Sequence, residues 1–251
     1  METLTSRQNR RVQLLRALSR DGTLRRAEGL YVCDGEKLLK EALRSGAQVE
    51  TVFWKGTRPE GFPPFPEEVL LTEGLFDYVS PLGNSPGPLF TVRMPETECA
   101  AAPAALSSVL VLEGVQDPGN VGTVLRTADA FGLDAVVLLE GCADLFSPKT
   151  VRAGMGALFR QPVLQMGRDD LPGFCRAHGL RLYAAALSEK ARDVREVSLR
   201  HAAVCIGSEG SGLSMQLCGL CDGEVIIPMR GRAESLNAAV AAAVLMWEMT
   251  R

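Results

Sequence analysis

From residue 108 onward, short apolar runs alternate with longer stretches of helical periodicity, and this alternation restricts the chain to few architectures. The runs 109–112, 135–139, 162–164, 182–186, 202–206 and 224–227 are dominated by Val, Leu, Ile and Ala. Between them, 121–131, 149–158, 170–178, 213–220 and 236–249 carry apolar residues at helical spacing. Parallel strands need a crossover connection, and strands buried on both faces read as near-continuous apolar runs. The pattern therefore predicts an α/β fold with a parallel sheet covered by helices on both faces.

The first hundred residues predict a second, smaller α/β unit. A helix is expected over 6–19, with Val12, Leu14, Leu15 and Leu18 as its apolar stripe. Strands follow at 30–33, 49–54, 69–71 and 89–92, with helices at 36–44 and 74–79. Asp34 is a plausible cap for the first of these helices. The prolines at 59, 63, 64 and 66 mark a loop. Residues 95–107 have linker composition. The expected organisation is a domain over 1–95, a linker over 96–107 and a domain over 108–251.

Charge and composition exclude several classes. With 251 residues and 46% hydrophobic side chains, the chain has ample material for packed cores. No run approaches the ~20 apolar residues of a membrane span, so no membrane association is expected. The N-terminus turns basic without an apolar segment, so no secretory signal is expected. Seven cysteines, an odd number in a chain too large to need disulfide staples, point to the cytoplasm and to buried free thiols. Cys218 and Cys221 form a CxxC, and Cys175 and His178 a CxxH. Their separation fits no common zinc pattern, so no metal is expected. The net charge of -3 excludes a globally basic nucleic-acid binder. Residues 1–26, however, hold seven arginines against Glu2 and Asp21. Such a cluster reads either as a solvated helix face or as a phosphate-contacting surface.

In open α/β sheets, ligands bind beyond the carboxyl ends of the strands. Three loops at such ends are rich in small and polar residues: 113–126, 206–213 and 227–240. The second has a GxxGxG order, follows the fifth strand rather than the first, and places Glu209 inside the turn, where a pyrophosphate would be repelled. A dinucleotide site is therefore not expected. There is no phosphate-binding P-loop and no GxSxG elbow. His178 and His201 are the only histidines, and His201 opens an apolar strand, which argues against histidine-dependent hydrolysis. The loops suit a cofactor with an adenine and a sulfonium. Leu187, Ile227, Met229 and Leu236 would enclose its rings, and Ser235 and Asn237 would offer hydrogen bonds. The competing reading is ordinary turn chemistry, with Asn120 and Ser235 as helix caps.

Taken in order, the three loops resemble the motifs of the SpoU/TrmH family of RNA ribose 2'-O-methyltransferases, part of the SPOUT superfamily. The first is carried by Asn120, Gly122 and Arg126, the second by Gly207, Ser208, Glu209, Gly210, Gly212 and Leu213, and the third by Ile227, Pro228, Met229, Gly231, Ser235, Leu236 and Asn237. The segments 131–134 and 148–156 also match, with Gly154 where the family usually has Ser. The resemblance covers about 108–250, and the region through Leu43 resembles the L30e-like substrate-binding domain of many members. It implies a C-terminal trefoil knot formed around the second and third motifs. It also implies S-adenosylmethionine held by Leu187, Gly207, Ser208, Gly210, Ile227, Met229, Ser235, Leu236 and Asn237, and a homodimer in which the first motif completes the partner's site. Arg126, Asn120 and Glu209 are the implied catalytic residues. Arg126 would act at the ribose 2'-oxygen as a base or as a stabiliser of the alkoxide, while Asn120 and Glu209 orient it or the ribose. The expected partner is structured RNA, ribosomal favoured over transfer RNA, gripped by Arg7, Arg10 and Arg11. A non-enzymatic RNA-binding homologue and a methyltransferase acting on a base are the alternatives.

Overall fold

A computed structural model describes residues 1–83, 85–98, 102–232 and 234–251. Part of the expected linker, with Cys99, lies outside the described residues. Residue contacts divide the chain into two units, Met1–Pro95 with Asp144–Phe159, and Glu96–Ala143 with Arg160–Arg251.

The first unit is built from β1 (Glu2–Leu4), α1 (Arg10–Leu18), α2 (Gly22–Glu28), β2 (Leu30–Asp34), α3 (Glu36–Arg44), β3 (Val49–Lys55), β4 (Glu67–Leu71), α4 (Glu73–Val79) and β5 (Leu89–Arg93). Its mixed sheet has the order β1-β4-β3-β5-β2. Leu4, Val12, Leu15, Leu18, Phe53, Val69, Leu71 and Phe76 form the core between α1, α4 and the sheet. Helix α1 starts later than the periodicity predicts because Asn9 caps it, its side chain accepting from Arg11 N at 2.9 Å. Asp34 does not cap α3, whose N-cap is Gly35 at φ 113. Its carboxylate instead accepts from Ser80 Oγ at 3.1 Å and from Ser85 Oγ.

The second unit opens with β6 (Ser108–Leu112), α5 (Pro118–Phe131) and β7 (Ala135–Leu138). The next segment, Asp144–Phe159 with α6 (Pro148–Gly154), belongs to the first unit, which corrects the single boundary drawn from composition. Arg25 pairs with Asp144, Tyr31 stacks near Phe146 with centroids 5.1 Å apart, and α6 packs on β2. Composition shows no such return, because the contacts are made by isolated residues. Helix α6 ends early because Met155 and Gly156 adopt positive φ.

The second unit continues with β8 (Val163–Gln165), α7 (Leu171–Ala177), β9 (Arg181–Ala185), β10 (Arg192–Asp193), β11 (Ala202–Ile206), α8 (Met215–Leu220), β12 (Gly223–Ile226) and α9 (Ala238–Met249). Its seven strands, all parallel, run β10-β12-β9-β11-β6-β7-β8. The central strands β6, β7 and β11 are buried along their whole length, as a sheet with two covered faces requires. On one face Val109, Val111, Val137, Ala203 and Cys205 pack with Leu171, Phe174, Cys175 and Leu217 from α7 and α8. Alternation turns Leu110, Leu112 and Val204 to the other face, where α5 and α9 pack together and α9 touches β6 and β11. At the amino end of the sheet, Asp134 accepts from Ser107 N (2.7 Å), Ser107 Oγ (2.9 Å), Ser108 N (2.8 Å) and Ser108 Oγ (3.0 Å). These bonds tie the starts of β6 and β7 together.

Candidate functional site

The carboxyl ends of β9, β11 and β12 surround a cleft of about 550 Å³. Its floor and walls come from the loops after these strands and from the first turns of α9. The loop after β11 is the tightest part. Ser208 N donates to Gly212 O at 3.2 Å and Gly212 N to Ser208 O at 3.0 Å, closing a narrow turn. Ser211 N donates to Ser208 Oγ at 3.2 Å. Position 207 admits no side chain, since a Cβ there would lie 2.0 Å from Gly212 C and 2.2 Å from Leu213 N. Gly212 turns at φ +65, a region that favours glycine.

The lining decides what the cleft can hold. Leu187, Ile227, Met229, Leu236 and Leu245 give apolar walls, and Ser208, Ser211 and Ser235 give hydroxyls. Glu209 and Glu234 are its carboxylates, and no Lys, Arg or His lines it among the described residues. A polyphosphate would meet carboxylates with no counter-charge. A cationic sulfonium or amine beside an apolar ring system fits both the sign and the walls.

Of the sequence-predicted binding residues, Leu187, Gly207, Ser208, Gly210, Ile227, Met229, Ser235 and Leu236 all line this cleft. Asn237 does not. It caps α9, accepting from Ala239 N at 3.0 Å and Val240 N at 3.3 Å, while its Nδ2 donates to Asn120 Oδ1 at 3.2 Å. Asn120 Nδ2 in turn donates to Glu209 Oε1. One residue from each of the three loops thus joins in a hydrogen-bonded chain at the rim. The capping roles considered for Asn120 and Ser235 fall elsewhere: Asp117 caps α5, accepting from Gly119 N at 2.6 Å and Asn120 N at 3.0 Å, and Asn237 caps α9.

Arg126 is not brought into this cluster. It sits exposed on α5, and among the described residues no hydrogen bond or ion pair engages its guanidinium. The arginines of the first unit divide. Arg10 is exposed. Arg11 is held by Glu2 at 2.7 Å and Glu67 at 2.8 Å. Arg7 and Arg16 lie over the Tyr78 ring, 4.2 and 3.7 Å from its centroid. The buried Arg25 is bound to Asp144 and to Leu18 O.

Two carboxylates escaped the sequence reading. Glu234 lines the cleft, and its only sequence signal is its place inside the third loop. Glu113 is 6% exposed and directly follows β6. An acid directly after four apolar residues normally marks a strand running into solvent. Of the cysteines, Cys33, Cys175 and Cys205 are buried and Cys142, Cys218 and Cys221 half-buried, all as free thiols. Burial pushes the Cys175 thiol up to about 12.

The SpoU rRNA methylase family model matches residues 107–247. The 23S rRNA (guanosine(2553)-2'-O)-methyltransferase RlmP of Bacillus subtilis is 37% identical over 224 residues, 87% of this chain and 88% of that protein. An AdoMet-bound rRNA methyltransferase from Sinorhizobium meliloti superposes with a TM-score of 0.87 at 27% identity, over 99% of this chain and 97% of its own. The SpoU methyltransferase AviRb from Streptomyces viridochromogenes, in complex with AdoMet, gives 0.87 at 27% identity, with 97% of each chain covered. The match spans the strands, the cleft and all three loops, and the chain belongs to the SpoU rRNA methylase family.

Proposed function

We propose that the protein transfers a methyl group from S-adenosylmethionine to a ribose 2'-hydroxyl of ribosomal RNA. The observation that carries this reading is a cleft with Glu209 and Glu234 on its wall and no cationic side chain among the described residues that line it, set beyond the carboxyl ends of a parallel sheet. Leu187, Ile227, Met229 and Leu236 would hold the adenine side, Ser208 and Ser235 would offer hydroxyls, and Gly207 and Gly210 keep the backbone close. The bound group supplies a methyl on a positively charged sulfur. A 2'-hydroxyl is a poor nucleophile at neutral pH, so the chain must orient it and favour loss of its proton. A guanidinium stays protonated in ordinary surroundings. Arg126 is therefore better suited to stabilising the alkoxide than to taking the proton. The Asn237–Asn120–Glu209 chain fixes the rim against which the ribose would sit.

Because Arg126 is not drawn into this cleft, we place it in the site of a second copy, which makes the functional species a homodimer. Supporting this, Val240 and Trp247 on α9 are 50% and 56% exposed, and Trp247 rests on Phe131 of α5, 5.8 Å between centroids. An apolar helix face of this kind marks a protein contact. Light scattering should give a species near twice 27.0 kDa, and a monomer at micromolar concentration would contradict the assignment. The implied knot is supported by β12 lying between β9 and β10 in the sheet, so that the short connection 186–191 joining those two strands spans a strand inserted later in the chain. We assign the L30e-like role to residues 1–95, with Arg7 and Arg10 as the freer phosphate contacts. The RlmP and Sinorhizobium relatives, both named for rRNA, support ribosomal over transfer RNA. Mapping 2'-O-methylated sites in total RNA from cells with and without the protein tests the reading. One ribosomal position should lose its mark. Loss at a base nitrogen, or no loss, would replace it with the base-methylating or the RNA-binding alternative.

A further inference from the structure

We infer that Glu113 is a positioning residue for the cofactor loop 207–213, clamping both of its ends; this rests on the assignment of that loop to S-adenosylmethionine. Glu113 lies one residue beyond β6, beside the point where the loop leaves β11. Its backbone N donates to Ile206 O at 2.9 Å, fixing the last residue before the loop. Its carboxylate accepts from Ser214 N and from Ser214 Oγ, each at 2.8 Å, fixing the first residue after it. Ser214 also caps α8, accepting from Leu217 N at 3.1 Å, so the clamp extends to the helix that follows.

The carboxylate is suited to this by its burial and by its ion pair with Arg168. Glu113 is 6% exposed, and Arg168 Nε donates to its Oε1 at 2.8 Å. Arg168 is itself held, its Nη1 donating to Gln216 Oε1 at 2.5 Å and its backbone N to Glu140 Oε1 at 3.1 Å. A buried carboxylate with three donors, one of them a cation, has its charge matched and its orientation fixed. No neutral side chain reproduces this. An amide in its place turns an N–H₂ toward at least one of the present donors.

Glu113 touches neither the cleft nor the rim chain, so its effect should appear in cofactor binding and loop opening rather than in the methyl-transfer step. In Glu113→Gln, the dissociation constant for S-adenosylmethionine should rise about tenfold, the factor expected when charged hydrogen bonds to one loop end are lost. The KM for S-adenosylmethionine should follow, with kcat at saturation within about twofold of wild type. Hydrogen exchange on the free protein should show amides 208–213 opening faster while 109–112 and 203–206 keep their protection. Ser214→Ala, which keeps the backbone donor and loses the hydroxyl, should give about a threefold weakening, and carries the test if Glu113→Gln does not fold. Wild-type affinity in these variants, or faster exchange spread evenly over the sheet, would overturn the clamp. Failure of the wild-type protein to bind S-adenosylmethionine would instead overturn the assignment of the cleft, and the exchange pattern would still decide the clamp.

Discussion

Replacing Gly207 by Ala tests whether the cleft depends on close backbone approach. A Cβ there would meet Gly212 C at 2.0 Å, Gly212 O at 2.2 Å and Leu213 N at 2.2 Å, all of them backbone atoms that cannot swing aside. Reaching ordinary contact at 3.4 Å requires the far strand of the turn to retreat by roughly 1.4 Å. The Ser208–Gly212 pair of hydrogen bonds, at 3.2 and 3.0 Å, does not survive that shift. At roughly 0.5–1.5 kcal/mol net per bond, opening the turn costs about 1–3 kcal/mol. Because the bound state needs the closed turn, the dissociation constant for S-adenosylmethionine should rise about 5- to 150-fold. The sheet core below is unaffected, so far-UV circular dichroism should not change. Gly219→Ala, on α8 and outside the cleft lining, is the control, since a Cβ at that position meets nothing within 4 Å. It should change stability by no more than about 1 kcal/mol and leave the affinity near wild type. Titration calorimetry on the two variants reads the difference. Equal affinities for Gly207→Ala and wild type, or equal losses in both variants, would refute the steric reasoning.

Arg126→Ala should abolish methyl transfer while leaving S-adenosylmethionine affinity within about twofold, read by radiolabel turnover beside calorimetry. Replacing Arg7, Arg10 and Arg11 by Gln should flatten the salt dependence of RNA binding by roughly 0.7–0.9 per lost phosphate contact. Arg11→Gln alone should contribute least, because Glu2 and Glu67 already hold its guanidinium. For Asp134, burial opposes the charge, but the four hydrogen bonds from Ser107 and Ser108 outweigh it and hold the carboxyl below its ordinary 3.8. A depressed folded value stabilises the protein above that pH, and the stabilisation fades as pH falls through the folded value. Asp134→Asn should therefore lower Tm clearly at pH 7 and progressively less as pH falls below 3.8, as followed by scanning calorimetry.

The second unit was legible because periodicity is its main signal. The run 202–206 matches β11 residue for residue, and the other central strands agree within a residue or two at each end. The two-residue β10 and three-residue β1 escaped because so short a segment has no period to detect. Helix α2 escaped because its seven residues carry a single large apolar side chain, Leu24. Helix α6 was overextended because the left-handed turn at Met155 interrupts residues whose side chains still suit a helix. In the site, the loop residues were found as a set because each loop carries its own small-residue signature. The linkage of Asn120, Glu209 and Asn237 is a contact across 117 positions of sequence, which no local pattern reports. Glu113 was missed for the opposite reason. Its identity looks like an ordinary strand end, and only burial against Ser214 and Arg168 shows that it is internal.

The most direct test of the central claim is transfer itself. The purified protein, unmethylated 23S rRNA and S-adenosylmethionine labelled on the methyl group are incubated together, and the RNA is digested to nucleosides. Label should appear in a single 2'-O-methylnucleoside, and the Arg126→Ala protein should give none. Label on a base, or no label from a protein that binds both RNA and S-adenosylmethionine, would contradict the account.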